Sequence, residues 1–386
     1  MSGKVILIRY GEIFLKSDPV RRRYVRQLRD NIKDGFRHHK VKSDISTTKG
    51  RMFIRVPTTQ TEKACSVLKK TFGIVSFSVC DQLDTSEIKE IQKFVKKNYR
   101  DWIPKGRKFA VRGKRSGSHS YSSIELAKRV GDVVSRKVDL TSPDVEIFVE
   151  VRDSDTYVYT EVMQGSGGMP IGTAGKTVCL MSGGIDSPVA AWNMMKRGCQ
   201  IIALYADTYP YGSKKGLKRA KDVIGVLQTW SNGWEIPMYS FDHGSNLKAF
   251  IETKGVQSNL VCLMCKRMMY RIANELAKEH EALAIITGET LGEVASQTLY
   301  NLRVLDEASE LPVFRPLIGN DKQENVDIAE SIGTFEKTVS LSAVCKAVPF
   351  QPRTKGNLEE IREAESKLNM KKLVKDSMKS VKKRKM

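Results

Sequence analysis

The chain has 386 residues, enough for two or three domains and a sizeable buried core. Its 65 Lys and Arg against 44 Asp and Glu give a net charge of +21, and its seven cysteines are unevenly spaced, unlike a secreted disulfide framework. It has no apolar run long enough to span a membrane, and Arg9 and Glu12 bound the short apolar start against a signal peptide, so a cytosolic protein without a membrane partner is expected.

The charge is unevenly distributed. Residues 1–170 hold 34 basic and 20 acidic side chains, residues 171–370 hold 23 of each, and residues 371–386 hold eight basic and one acidic. A basic front half beside a neutral second half implies that the first half holds a polyanion. The tail KKLVKDSMKSVKKRKM reads either as a floppy polar end or as a nonspecific RNA contact.

In chain order, Val5–Ile8 reads as a strand, and residues 20–37 place Val25, Leu28, Ile32 and Phe36 at helical spacing among arginines. Residues 51–56 alternate as a strand, 61–70 read as a helix, and 73–79 as extended chain. A small α+β module is expected over residues 1–60 and a second over 61–166. In the second, a helix over 86–98 and a strand over 108–112 lead into a basic, polar loop, 113–121, followed by a helix over 123–137 and strands over 144–151 and 156–163. Arg112, Lys114 and Arg115 are its candidate RNA-phosphate contacts. The glycine-rich stretch 167–175 fits no dinucleotide fingerprint and reads as a linker.

From 176 to 370 apolar strands (177–181, 200–206, 236–240, 283–287) alternate with helices (187–197, 214–230, 257–279), the pattern of a parallel α/β sheet whose ligand sits at the strands' carboxyl ends. Residues 371–386 are set apart as a basic tail. The run Thr177-Val178-Cys179-Leu180-Met181-Ser182-Gly183-Gly184-Ile185-Asp186-Ser187-Pro188 is a buried strand that breaks into Ser-Gly-Gly and opens a helix at Asp-Ser-Pro. Two glycines permit a tight turn and close approach to a ligand, and the amides of the helix start with Ser182 and Ser187 make an anion site. No Gly-Lys-Ser/Thr follows, so it is not a Walker loop. SGGxDS is the signature of the PP-loop ATP pyrophosphatases, which cleave ATP to AMP and pyrophosphate.

Several segments together resemble the tRNA 4-thiouridine synthetase (tRNA sulfurtransferase) family, over nearly all of residues 1–352. Ile8-Arg9-Tyr10-Gly11-Glu12 with Lys16 resembles its N-terminal ferredoxin-like domain. Phe72-Gly73-Ile74, Val111–Arg115 and Tyr157–Glu161 resemble its RNA-binding THUMP domain. Ser182–Ala190 is similar to its PP-loop, and Thr287–Thr298 and Arg315–Lys322 to its two later motifs. The implied fold is multidomain, α/β and α+β, ending in a Rossmann-like PP-loop domain.

The implied reaction adenylates a tRNA uridine at O4, position eight in this family, and replaces that oxygen by sulfur. The resemblance implies an enzyme that uses ATP with Mg²⁺. ATP would be held by Ser182, Gly183, Gly184, Asp186 and Ser187 in the loop, by Leu180, Met181, Tyr205 and Ala206 at strand ends, and by Lys266, Gly288 and Gln297. Asp186 is the essential loop residue and Lys322 would neutralise charge on the phosphates.

Cys262 and Cys265 open a helix with both thiols on one face, where the helix start, Lys266 and Arg267 are expected to favour thiolates. With Cys345, which matches the family's catalytic-domain cysteine, they supply three ligands for a 4Fe-4S cluster whose open iron could bind hydrosulfide. A persulfide on Cys265 or Cys345 resolved by a disulfide, and zinc or plain thiols, are the alternatives. Many relatives carry a C-terminal rhodanese domain; only 41 residues follow Cys345 here, which favours the branch without one. Cys65, Cys80, Cys179 and Cys199 read as core residues. The implied partners are tRNA, a sulfur donor (sulfide or a persulfide carrier) and a second copy of the chain. Competing readings are a PP-loop enzyme for thiamine thiazole sulfur or another carboxylate, and a noncatalytic ATP- and tRNA-binding protein.

Overall fold

The structure, a computed structural model, describes residues 3–48, 50–338 and 345–385; the run 341–344 that leads into Cys345 lies outside them. The described chain divides into two compact units, one containing Ile32–Gly167 and the residues up to Arg21, the other Arg22–Asn31 and the residues from Gly168 on.

From β1 (Gly3–Arg9) of the first unit the chain leads to the long helix α1 (Asp18–His38), whose middle, Arg22–Asn31, belongs to the second unit; Pro in its first turn needs no N–H partner, and Arg37 and His38 in its last turn suit the helix dipole. Its Leu28, Ile32 and Phe36 are buried, as the spacing predicts, and Val25 is half-buried. The hairpin β2 (Asp44–Thr48) and β3 (Arg51–Pro57) follows. No strand is expected at β2, because Asp-Ile-Ser-Thr-Thr buries almost nothing on either face. Helix α2 (Thr61–Lys69) precedes β4 (Ser76–Leu83), whose Ser76–Cys80 pair with β1 and whose Asp81–Leu83 pair with β8 (Asp155–Tyr159).

Between them lie α3 (Ile88–Trp102), β5 (Lys108–Ser116), α4 (Ser123–Gly131), β6 (Lys137–Val138) and β7 (Val145–Arg152), and β9 (Met163–Gln164) closes the unit. The sheet runs β2-β3-β1-β4-β8-β7-β5-β6, with β9 on β4, so one sheet passes through both expected front modules. Ile91, Val95, Leu126 and Val130 of α3 and α4 bury against Phe109, Ile147 and Val149 of β5 and β7. Residues 113–116 were expected in a loop. They instead continue β5, because parallel pairing with β7 persists as far as Ser116↔Arg152. Helix α4 ends at Gly131, six residues short of the expected 137.

The second unit contains β10 (Lys176–Met181), α5 (Asp186–Lys196), β11 (Gln200–Asp207), α6 (Gly216–Gln228), β12 (Met238–Asp242), α7 (Gly244–Glu252) and α8 (Val261–His280). There follow β13 (Ile285–Ile286), α9 (Leu299–Asp306), β14 (Val313–Phe314), α10 (Lys322–Ile332), α11 (Phe335–Thr338), α12 (Leu358–Ser366), α13 (Met370–Ser380) and β15 (Lys382–Arg384). The order is β14-β13-β10-β11-β12-β15, parallel throughout except for β15. The chain builds outward from β10 to β12, then returns to the other side of β10. The reversal between β10 and β13 leaves a crevice at the strands' carboxyl ends, the usual ligand position in such sheets. Leu263, Met264, Met268 and Leu276 of α8 pack with Val178, Leu204, Phe241 and Ile285 of the sheet in the main core.

The tail is not a floppy end. Helix α13 packs Leu373, Val374 and Met378 against that core, and β15 pairs antiparallel with β12 from Lys382↔Ser240 to Arg384↔Met238. Apolar residues spaced along a lysine-rich helix give the segment a face to bury, which its charge conceals in the sequence. Among the described residues, no helix is long and apolar enough to cross a membrane.

Candidate active site

Strand β10 delivers its last residue, Met181, to the reversal point, and the chain turns through Ser182–Ile185 into α5. Ser182 N–H donates to Ser187 Oγ (2.9 Å), the two hydroxyls lie 3.1 Å apart, and Gly184 N–H donates to Ser182 Oγ (3.2 Å). The serines thus brace the loop as well as line it. Among the described residues no side chain caps the start of α5, so its first amides remain available to an anion.

Neither Gly183 nor Gly184 takes a left-handed φ, and it is at Gly183 and Gly288 that space is tight. A Cβ on Gly183 would lie 3.1 Å from Arg219 Cβ. Gly288, just beyond β13, passes so close to α5 that a Cβ there would lie 2.6 Å from Ser187 N and 2.8 Å from the carbonyl carbon of Asp186. That approach joins the motif Thr287–Thr298 to the loop.

Lys322, the first residue of α10, reaches both oxygens of Asp186 at 3.0 Å and Glu293 at 2.7 Å. Burial lowers its pKa, but the hydrogen bonds from Glu293 and Asp186 outweigh this and raise it, so the ammonium is retained. Asn325, one turn on, donates to Asp186 (3.4 Å) and to Thr290 (3.3 Å). Asp321 caps α10 in a full capping box with Glu324, which fixes where Lys322 emerges. Asp186 and Lys322, 136 positions apart, are therefore in direct contact.

Leu180 and Ala206 are half-buried against the main core, and Met181 and Tyr205 are buried. Tyr205 Oη lies over the start of α6, where a Cβ on Gly216 would come within 2.2 Å of it; burial, with Asp207 beside it, pushes the phenol to about 12. Gln297 Oε1 is buried with no hydrogen-bond partner among the described residues, an acceptor that suits an amino group of a bound base.

Lys266 is held at 2.8 Å by Glu289, a buried carboxylate that also accepts from Arg315 Nε (2.8 Å), Tyr270 (3.0 Å) and Thr287 (3.0 Å). Burial raises the Glu289 pKa, but Lys266 and Arg315 overcome it and hold the carboxyl down at about 2. Glu289, Glu293, Arg315 and Asn325 do not stand out in the sequence as site residues. The first three lie inside the two later motifs, and that placement is the signal that could have found them.

Cys262 and Cys265 lie in the first two turns of α8, half-buried like Cys345. All seven cysteines are free thiols, and the four expected core cysteines are buried. Burial works against the thiolates expected of the pair and outweighs the lowering by Lys266. Burial raises Cys265 far above the ordinary thiol range, with the neighbouring Cys262 and Cys345 adding to the rise, and it raises Cys262 as well. The expected cations are engaged elsewhere. Lys266 pairs with Glu289, and Arg267 is buried with Glu365 (2.9 Å) and Glu307 (2.6 Å).

Cys345 acts electrostatically on both other thiols, so the three sulfurs share one neighbourhood. Among the described residues, no three His, Cys, Asp or Glu side chains converge on a single metal-ion position. The sequence also gave no sign that Cys265 Sγ has a polar partner, His243 Nε2 at 3.1 Å. Burial pushes that imidazole down to about 4.

In the first unit, Lys114 and Arg115 are exposed on β5, whereas Arg112 is tied to Glu146 (2.6 Å) and to the Leu140 carbonyl (3.0 Å).

A parallel sheet with an uncapped Ser-Gly-Gly-x-Asp-Ser loop at its reversal point defines the second unit as a nucleotide-activating domain of the PP-loop class. The family model described as thiamine biosynthesis protein (ThiI) matches residues 172–370, that of the ThiI ferredoxin-like domain matches 5–78, and that of the THUMP domain matches 85–161. A protein named probable tRNA sulfurtransferase in Methanosarcina mazei is 41% identical over 98% of this chain and 94% of its own length. Its counterpart by name in Methanobrevibacter smithii is 38% identical over 99% of this chain and 100% of its own. A crystal structure of a 4-thiouridine synthetase in complex with RNA and bound ATP superposes with a TM-score of 0.88, at 30% identity and 99% coverage of both chains. The chain belongs to the tRNA sulfurtransferase family.

Proposed function

We propose that this chain is an ATP-dependent tRNA sulfurtransferase that converts uridine, at position eight of tRNA, to 4-thiouridine. The observation that carries the reading is the Asp186–Lys322–Asn325 constellation at the uncapped start of α5, in a chain that aligns end to end with a 4-thiouridine synthetase. An amide-like oxygen leaves C4 poorly. In the first step O4 attacks the α-phosphorus of ATP, N3 gives up its proton to solvent and pyrophosphate leaves. In the second, hydrosulfide adds at C4, AMP departs with the former O4, and the remaining proton settles on N3.

The loop amides and the Ser182 and Ser187 hydroxyls bind the pyrophosphate portion, with Gly183 and Gly184 admitting it. Leu180, Met181, Tyr205 and Ala206 border the nucleoside, with Gly288 and Gln297 opposite, and the unpartnered Gln297 oxygen accepts from the adenine amino group. Lys322 balances negative charge that grows on the bridging oxygen as pyrophosphate leaves. Lys266 acts through Glu289. Asp186 and Glu293, partly exposed on either side of Lys322, are the carboxylates that would hold Mg²⁺, which would neutralise the triphosphate.

Cys262, Cys265 and Cys345, which share one neighbourhood, would be the three thiol ligands of a 4Fe-4S cluster; a fourth iron left open to sulfide is the chemistry such a group supplies when bound. In the first unit, Lys114 and Arg115, with Arg112 behind them, meet RNA phosphates.

The test is anaerobically reconstituted protein incubated with unmodified tRNA, ATP, Mg²⁺ and sulfide. Formation of 4-thiouridine with tRNA-dependent pyrophosphate is expected; absence of both would sink the thiolase reading. Iron analysis of Cys262→Ala, Cys265→Ala and Cys345→Ala tests the donor set, and unchanged iron in all three leaves persulfide chemistry at Cys265 or Cys345 in its place.

A further inference from the structure

Cys265 has a buried polar neighbour that the proposed chemistry leaves unused. His243 lies between β12 and α7 and is fully buried (0% exposed); its Nε2 is 3.1 Å from Cys265 Sγ. Its other nitrogen, Nδ1, is 3.2 Å from Asn246 Nδ2 one turn along α7. The same Asn246 amide donates to Ser377 Oγ at 2.8 Å. Asn246 and Ser377 are 2% and 3% exposed, so the contacts from His243 to Ser377 are dry. The backbone holds the ring in place as well, because His243 N–H donates to the Asp207 carbonyl at 2.8 Å.

The direction of these bonds follows from the amide. As the amide is oriented in the structure its NH₂ faces Nδ1, so Nδ1 accepts and the neutral ring carries its proton on Nε2. An imidazole in that tautomer presents an N–H to the sulfur. A hydrogen bond into a half-buried sulfur fixes its orientation and stabilises negative charge on it, whether it is a thiolate, a persulfide or a ligand.

We infer that His243 is a positioning residue for Cys265: it donates Nε2–H to the sulfur, its tautomer is set by Asn246, and Asn246 is set by Ser377 of the C-terminal helix α13. This rests on the sulfur-handling role given to Cys265. It also gives the basic C-terminal segment a task, since one of its serines forms the far end of the sulfur site.

Two measurements test it, and neither needs turnover. The chain has five histidines, so ¹⁵N-histidine labelling and two-bond ¹H–¹⁵N correlation resolve each ring, the His243 signals being those missing in His243→Gln. The Nε2–H tautomer is expected at neutral pH; a proton on Nδ1 overturns the inference. The second is the site-resolved rate of iodoacetamide alkylation of the iron-free, reduced protein, read by mass spectrometry.

In His243→Leu the Cys265 rate is expected to fall about tenfold, the weight of one hydrogen bond to a charged group, with Cys262 and Cys345 unchanged. His243→Gln, which keeps an N–H near the Nε2 position, is expected to stay within about twofold. Equal changes at all three cysteines, no change at Cys265, or a Gln variant that behaves like Leu would each overturn it. If His243→Leu fails to fold, the tautomer measured on the unaltered protein still decides. Failure here with intact thiolation would remove His243 alone; failure of thiolation with these results intact would remove the enzymatic reading and leave the contact.

Discussion

In the first unit most ion pairs lie at the surface, as in Lys108–Asp139, Arg107–Asp144 and Arg112–Glu146, and residues 1–170 keep an excess of 14 positive charges. In the nucleotide-binding unit, residues 171–370 carry no excess and bury charge, while its surplus of positive charge is confined to Arg22–Asn31 and the tail, 371–386. Glu289 is closed in by Lys266 and Arg315, and Arg267 by Glu365 and Glu307. The exception in the first unit, buried Glu150, is matched by Arg51 and Arg152. Exposed excess charge attracts a polyanion over a wide area and is screened by salt. Buried, balanced charge holds individual groups in place and costs too much to leave unpaired. One arrangement suits capture of RNA, the other the alignment of reacting atoms.

The contrast breaks most visibly at Lys322. Lys322→Ala is expected to lower the rate of tRNA-dependent pyrophosphate release about 100- to 1000-fold, the scale of losing one transition-state charge partner. The Kd for tRNA should hardly move; an equal loss in filter binding would erase the division of labour.

Glu289→Gln comes next, because it leaves half-buried Arg315 and Lys266 without the charge that pairs them. A loss of about 3 kcal/mol in urea unfolding is expected. Its acid limb sharpens the test. The Glu289 carboxyl titrates at about 2 when folded, below its ordinary 4.5, so its contribution is full above about pH 4.5 and lost as pH falls toward 2. The variant should lose that part of the slope.

On the first unit single effects are smaller. Lys114→Ala and Arg115→Ala are each expected to weaken tRNA binding a few-fold and to reduce the slope of log K against log salt by about one, with the KM for ATP unchanged. Arg112→Ala should do less, under about twofold, because Glu146 already occupies its guanidinium. An Arg112 effect as large as that of Lys114, in the same salt titration, would mean that the Arg112–Glu146 pair opens for RNA.

Local features were legible in sequence where one pattern fixes them. The α1 spacing, the alternation of β3, and the strand, loop and helix from Lys176 to Lys196 read directly. Helix α7 did not, because it opens Gly-Ser-Asn and is short, and β2 has no buried face. At the site, the motifs led to Asp186, Lys322 and Gly288, but the thiolate expectation counted Lys266 and Arg267 as free cations. Only the fold reveals that distant carboxylates, Glu289 and Glu365, have claimed them. The link from His243 to Cys265 was unreadable for a similar reason, since 22 positions and all of helix α7 separate the pair.

Strand β15 has a consequence for how copies of the chain meet. By lying along β12 it occupies the hydrogen-bonding rim where a neighbouring molecule could add a strand, and it replaces that rim with a three-residue segment of Lys382, Lys383 and Arg384. A short, cationic border repels its own kind and pairs poorly with any extended segment. The last residues of the chain thus also act as a gatekeeper of solubility, guarding a parallel sheet that would otherwise end in an open, sticky margin.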